Sequence, residues 1–145
     1  MKTDSFLQGL NDAQIVSAVA AAERRSRGEV RVHVSARTIG DVEEAAAAQF
    51  HALGMDRTAE RNGVLVYVAP ESRKFAVIGD RGIDDKAGAD FWRRVADDVA
   101  DAFRQGQFTA GIVRAVEAVG DLLAAHFPRT EADDRNELPD ELTRD

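Results

Sequence analysis

Apolar residues recur with a helical period at both ends of this chain and with strand-like patterns in between. Over residues 11–27, Ile15, Val19 and Ala22 fall on one face of a helix. Asn11 stands at its cap, with Gln14 at capping-box spacing. Arg24, Arg25 and Arg27 crowd its last turn, where positive charge suits the helix dipole, and Gly28 supplies the stop. Residues 30–36 then alternate. Val30, Val32, Val34 and Ala36 share one face, and Arg31, His33 and Ser35 share the other. This predicts a strand with one buried and one polar face. Asp41 caps a second helix over residues 42–53, which Gly54 ends.

The stretch Gly63–Ala69 (GVLVYVA) is continuously apolar and β-branched, as in a central strand. Pro70, Glu71 and Ser72 make a turn, and Lys74–Gly79 (KFAVIG) is the next strand. So short a connection implies an antiparallel hairpin. The helix between the first two strands implies a right-handed βαβ crossover, which makes those strands parallel. After Asp80 comes a glycine-punctuated loop, DRGIDDKAG. A helix over residues 89–104 repeats Phe91, Val95, Val99 and Phe103 at the helical period, with Trp92 alongside, and Gly106 breaks it. The last helix, residues 109–126, turns Ile112, Val116, Val119 and Leu123 inward and ends before Pro128. The order is α-β-α-β-β-α-α. It predicts an α/β domain over residues 1–128, with a sheet of three or more strands and helices on its faces. Residues 129–145 are polar and acidic, hence an extended or disordered tail, with Leu138 and Pro139 as exceptions able to dock.

Composition narrows the function classes. With 145 residues, 44% hydrophobic and 31% charged, the chain can bury one core and is not a disordered polymer. A net charge of -7 argues against nucleic acid as a partner and is compatible with cation binding. No cysteine is present, so disulfides and thiolate metal sites are excluded. Residues 1–10 lack a signal-peptide core and no run is long enough for a transmembrane segment, so the default location is cytoplasmic.

Strand directions make a spatial prediction. The starts of the first two strands and the finish of the third lie at one sheet end. Glu29, Arg61, Asn62 and Asp80 therefore gather there, with Asp84 and Asp85 following. Carboxylates plus the Asn62 carbonyl suit a hard cation, calcium or magnesium, and Gly79 and Gly82 let the loop fold around it. The plainer alternative is that Arg61 pairs with Glu29 or Asp80 and orders a loop. His33, His51 and His126 have no metal-ligand spacing, and Ser26, Ser35 and Ser72 lack a nucleophile context. The aromatic residues Phe91, Trp92, Phe103 and Phe108 read as core, and Asp97, Asp98 and Asp101 as a solvated helix face.

Three stretches carry a family resemblance: GEVRVHV, RNGVLVYVAPESRKFAVIGDRGID and FRQGQFTAGIVRAVEAVGDLL. Together they resemble the TPM domain family, over roughly residues 11–127. The resemblance implies a three-layer αβα sandwich with a mixed central sheet, an acidic calcium-binding region in some members, and an acid phosphatase activity ascribed to a plant member. The family's NGVL stretch matches Asn62 to Leu65. Its G-x-G-L-E-G loop matches residues 79–85 with Ile83 for leucine, Asp84 for glutamate and Asp85 for the last glycine. On this basis the expected function is a cation-binding module for a protein or membrane-associated assembly partner, with calcium or magnesium and no organic cofactor. The alternatives are a metal-dependent acid phosphatase and a structural protein that associates with itself.

Overall fold

The structure is a computed structural model and describes residues 11–129 and 142–145. Helix α1 (Asp12–Arg24) begins where expected, because the Asn11 side chain accepts the Gln14 amide at 3.0 Å. It stops three residues short of the predicted end. Ser26 instead forms a β-bridge with Pro128, and Arg27 turns toward Glu60. Gly28 has a different task from the one predicted. A Cβ there would lie 2.5 Å from Leu123, so the glycine lets the last helix approach rather than reversing the chain.

Four strands form the sheet: β1 (Glu29–Val34), β2 (Gly63–Ala69), β3 (Lys74–Gly79) and β4 (Leu142–Arg144), in the order β3-β2-β1-β4. β1 and β2 are parallel, with Glu29 opposite Gly63. Between them runs α2 (Val42–Ala52), whose first turn is held by the Asp41 side chain accepting the Glu44 amide at 3.1 Å. β2 and β3 are antiparallel, with Val64 opposite Gly79. The crossover and hairpin thus follow the prediction. β4 was not legible as a strand; it lies parallel to β1, with Val32 opposite Leu142. Leu138 and Pro139 lie outside the described residues.

Three further helices follow β3: α3 (Arg81–Ala87), α4 (Ala89–Arg104) and α5 (Phe108–His126). α3 corrects the predicted loop. Glycine suggests a turn in isolation, but here Asp80 caps the segment and Ile83 anchors it in the core. Tertiary burial overrides the weak local propensity.

The sheet divides two apolar layers. Val30, Val32 and Val34 of β1, with Val64, Val66 and Val68 of β2, pack against α1, α4 and α5. On the other face Leu65, Tyr67 and Ala76 meet Ala46 and Phe50 of α2, together with Met55. This is an αβα sandwich. Each aliphatic side chain so buried contributes about 1.5–3 kcal/mol. All seven residues of β2 are buried, as its unbroken apolar run requires.

The polar face of β1 departs from expectation, because it is buried too. Arg31 and His33 are each 2% exposed and Ser35 is fully buried. Their polar groups are used as connectors. Arg31 Nη1 reaches Glu23 of α1 at 3.4 Å and the Val30 carbonyl at 3.1 Å. His33 stacks on Tyr67, with centroids 5.4 Å apart, and its Nδ1 lies 2.7 Å from the Thr143 hydroxyl. Ser35 donates to Asp145 at 3.2 Å. The face is polar because it binds α1 and β4 through hydrogen bonds rather than water. Among the described residues, no helix is long and apolar enough to cross a membrane.

Candidate functional site

At the sheet end predicted to gather the site, the turn into β2 and the exit from β3 are tied together by backbone. The Asp80 amide donates to the Gly63 carbonyl at 2.9 Å, and the Gly82 amide donates to the Arg61 carbonyl at 2.8 Å. Arg61 has φ of +52°, a left-handed conformation unfavourable for a side chain bearing a Cβ. Gly79 and Gly82 are needed for contact. A Cβ on Gly79 would lie 2.6 Å from the Trp92 ring, and one on Gly82 would lie 2.2 Å from the Glu60 carbonyl oxygen. The predicted role of these glycines, folding a loop closely, becomes here the close docking of α3 on the turn.

Asp80 is 8% exposed and fully engaged. Arg61 Nε donates to its Oδ2 at 2.6 Å and Arg61 Nη2 to its Oδ1 at 2.9 Å. The Arg81 amide also donates to Oδ1, at 2.8 Å, while the Asp80 carbonyl accepts the Asp84 amide at 2.9 Å. One carboxylate therefore serves as helix cap and as half of a bidentate ion pair. The hydrogen bond to Asp80, reinforced by its charge, raises the Arg61 pKa further above its ordinary value.

Asp84 accepts the Trp92 indole N–H at 2.8 Å, fastening α3 to α4. Asp85 is exposed on α3. Asn62 is 1% exposed; its amide donates to the Thr58 hydroxyl at 3.3 Å, and its Nδ2 has no hydrogen-bond partner among the described residues. Glu29 is 3% exposed and lies 3.8 Å from Arg31 Nη2.

Glu29 thus belongs to a buried ionic cluster with Glu23 and Arg31, a group the sequence did not reveal. Glu23 stands in a helix of small apolar residues, and only the folded sheet edge gives it a partner. Its carboxylate accepts the Val30 amide at 3.1 Å. Burial pushes the Glu23 pKa up to about 8, helped by a hydrogen bond to the Glu29 carboxyl and by its charge. The Val30 amide and Arg31 oppose that rise.

This arrangement bears on a cation. Asp80 is a suitable oxygen donor, but Arg61 holds both its oxygens, so a cation fits there only in exchange for the guanidinium. Among the described residues, no group of three or more His, Cys, Asp or Glu is arranged to hold a metal ion.

A family model for the TPM domain matches residues 1–122. The NMR structure of the BA42 protein from the psychrophilic bacterium Bizionia argentinensis is similar at 38% identity and a TM-score of 0.84, covering 94% of this chain and 96% of that one. The N-terminal domain of a P. gingivalis protein matches at 23% identity and a TM-score of 0.65, covering 84% of this chain and 82% of that one. The N-terminal domain of the cg2496 protein from Corynebacterium glutamicum matches at 16% identity and a TM-score of 0.61, covering 81% and 74%. These last two likenesses show the fold alone. No curated protein matches the chain.

Proposed function

The chain belongs to the TPM domain family, and we propose that it is a non-catalytic binding module. Its working surface is the Asp80 end of the sheet, which responds to calcium and receives a protein or membrane-associated assembly partner. The observation that carries this reading is the bidentate Arg61–Asp80 pair. Arg61 acts as a built-in cation. It neutralises a nearly buried carboxylate at the junction of β2, β3 and α3, and a divalent ion would compete for the same two oxygens. Exchange would free the guanidinium and alter the surface offered to a partner. Asp84 and Asp85 lie one turn further along α3 and add negative charge to attract the ion.

Engaged on both oxygens, Asp80 is a latch rather than a nucleophile. Calorimetric titration of the full chain with calcium tests the reading. The wild type should bind weakly, Arg61→Ala more tightly, and Asp80→Ala not at all. No heat of binding from any of the three at millimolar calcium would remove the cation from the account.

A further inference from the structure

At the opposite end of the sheet from Asp80, the finish of β2 and the start of β3 meet α4 and the beginning of α5 around a cavity of about 380 Å³. That volume lies in the range of small-ligand pockets, roughly 300–1,000 Å³. Its wall is apolar. Val68 and Ala100 line it, and three phenyl rings run along it edge to face: Phe75 to Phe103 with centroids 5.8 Å apart, and Phe103 to Phe108 at 5.6 Å.

The remaining lining is basic. Arg73, Lys74 and Arg104 contribute to the same cavity, in a protein whose net charge is -7. Lys74 donates its ammonium to the Gly40 carbonyl, and Arg104 meets Asp101 at 3.4 Å with most of its side chain exposed. Arg73 is exposed, and its guanidinium has no hydrogen-bond or ion-pair partner among the described residues. It also holds a left-handed backbone, with φ of 54° and ψ of 42°, at the end of the Pro70–Ser72 turn. Glycine or asparagine would adopt that conformation at lower cost. An arginine there places a cation at the mouth of an apolar cavity against the local backbone preference.

We infer that this cavity binds a medium-chain acyl carboxylate, with its tail along Phe75, Phe103 and Ala100 and its carboxylate on Arg73. Charge complementarity selects the occupant. An apolar body satisfies the phenyl wall, and a single negative headgroup satisfies a planar guanidinium through paired N–H donors. Arg104 supplies a second positive charge at the rim and raises the local concentration of anions.

Titration of the isotopically labelled full chain with decanoate, followed by amide NMR shifts, tests the inference. Saturable shifts should centre on Val68, Arg73, Phe75 and Phe103. Arg73→Glu should weaken binding about tenfold or more, as expected for loss of a charge-assisted hydrogen bond and introduction of repulsion. Ala100→Leu, which narrows the cavity, should weaken it while keeping a folded spectrum. Asp80→Ala should leave it unchanged, which separates this site from the calcium reading. Three results overturn the inference: no saturable shift up to the solubility limit of decanoate, equal binding of neutral decanol, or shifts centred elsewhere. Shifts that appear with protein concentration alone, with a doubled mass by light scattering, would assign the cavity to a second copy of the chain and equally overturn it.

Discussion

The amide of Gly82 donates to the carbonyl of Arg61 at 2.8 Å, and there is no room between them for a methyl group. The first turn of α3 is thereby pressed onto the turn that leads into β2. Any side chain at position 82 must push backbone away from backbone, and neither side has a flexible end to yield. Gly82→Ala should therefore destabilise the fold by about 2 kcal/mol or more, within the usual cost of overpacking. Urea unfolding measures it, and an unchanged midpoint would refute the close approach.

Asp80 combines a cap with an ion pair, and the two roles separate by substitution. Asparagine caps a helix about as well as aspartate but cannot pair with Arg61 as a charge. Asp80→Asn should be less destabilising than Asp80→Ala by about 1 kcal/mol, the usual worth of a cap. Asp80→Asn should also lose part of its cost in the Arg61→Ala background, where the pair is already absent. Equal effects of Asn and Ala would remove the cap from the account.

Glu23 gives stability a pH dependence with a definite sign. Its folded-state pKa of about 8 lies above the ordinary 4.5, so between those values the folded state keeps a proton that the unfolded chain has released. Stability from this group is fully present below pH 4.5 and falls as pH rises toward about 8. Glu23→Gln, neutral throughout, should flatten that slope when unfolding is followed from pH 5 to 8.

His33 acts in the opposite direction. Burial lowers its pKa from 6.5, with Asp145 at 3.6 Å from Nε2 opposing the shift. The unfolded chain takes up the proton first, so stability from neutral His33 is lost as pH falls below 6.5. An NMR titration of the ring should give a midpoint below 6.5, and a midpoint above it would contradict the burial.

Removing β4 should loosen one edge of the sheet without dissolving the domain. To the layer in which β1 and β2 pack against α1, α4 and α5, β4 adds one half-buried apolar side chain, Leu142. A chain ending before Leu142 should stay folded, lose about 1–2 kcal/mol from its few cross-strand hydrogen bonds, and show faster hydrogen exchange along β1. Unchanged exchange in β1 would mean that β4 protects nothing.

Much of this architecture was legible because it rests on period and length. The run Gly63–Ala69 is apolar at every position, and a strand covered on both faces requires that. The hairpin followed from a connection of only a few residues, and parallel pairing from the helix before it. These directions in turn brought Arg61 and Asp80 to one end. Other parts depended on tertiary contact. The helix after Asp80 looked like a loop because Gly82 and Gly88 are poor helix formers, and only Ile83 entering the core makes the turn worthwhile. The polar face of β1 looked solvated because Arg31, His33 and Ser35 alternate with valines, yet their partners Glu23, Thr143 and Asp145 come from other elements. Glu29 was expected near Asp80 from strand direction alone; its side chain lies with Arg31, a preference set by side-chain charge.

The pairing of β1 with β4 also has a consequence for synthesis. His33 and Thr143 are 110 residues apart, so β1 leaves the ribosome long before its neighbour on that side exists. Until residue 142 emerges, the nascent sheet lacks its neighbour on that side and presents an open edge. Glu23 lies only seven residues from Val30, whose amide its carboxylate accepts, so that contact on the same strand requires none of the residues made later.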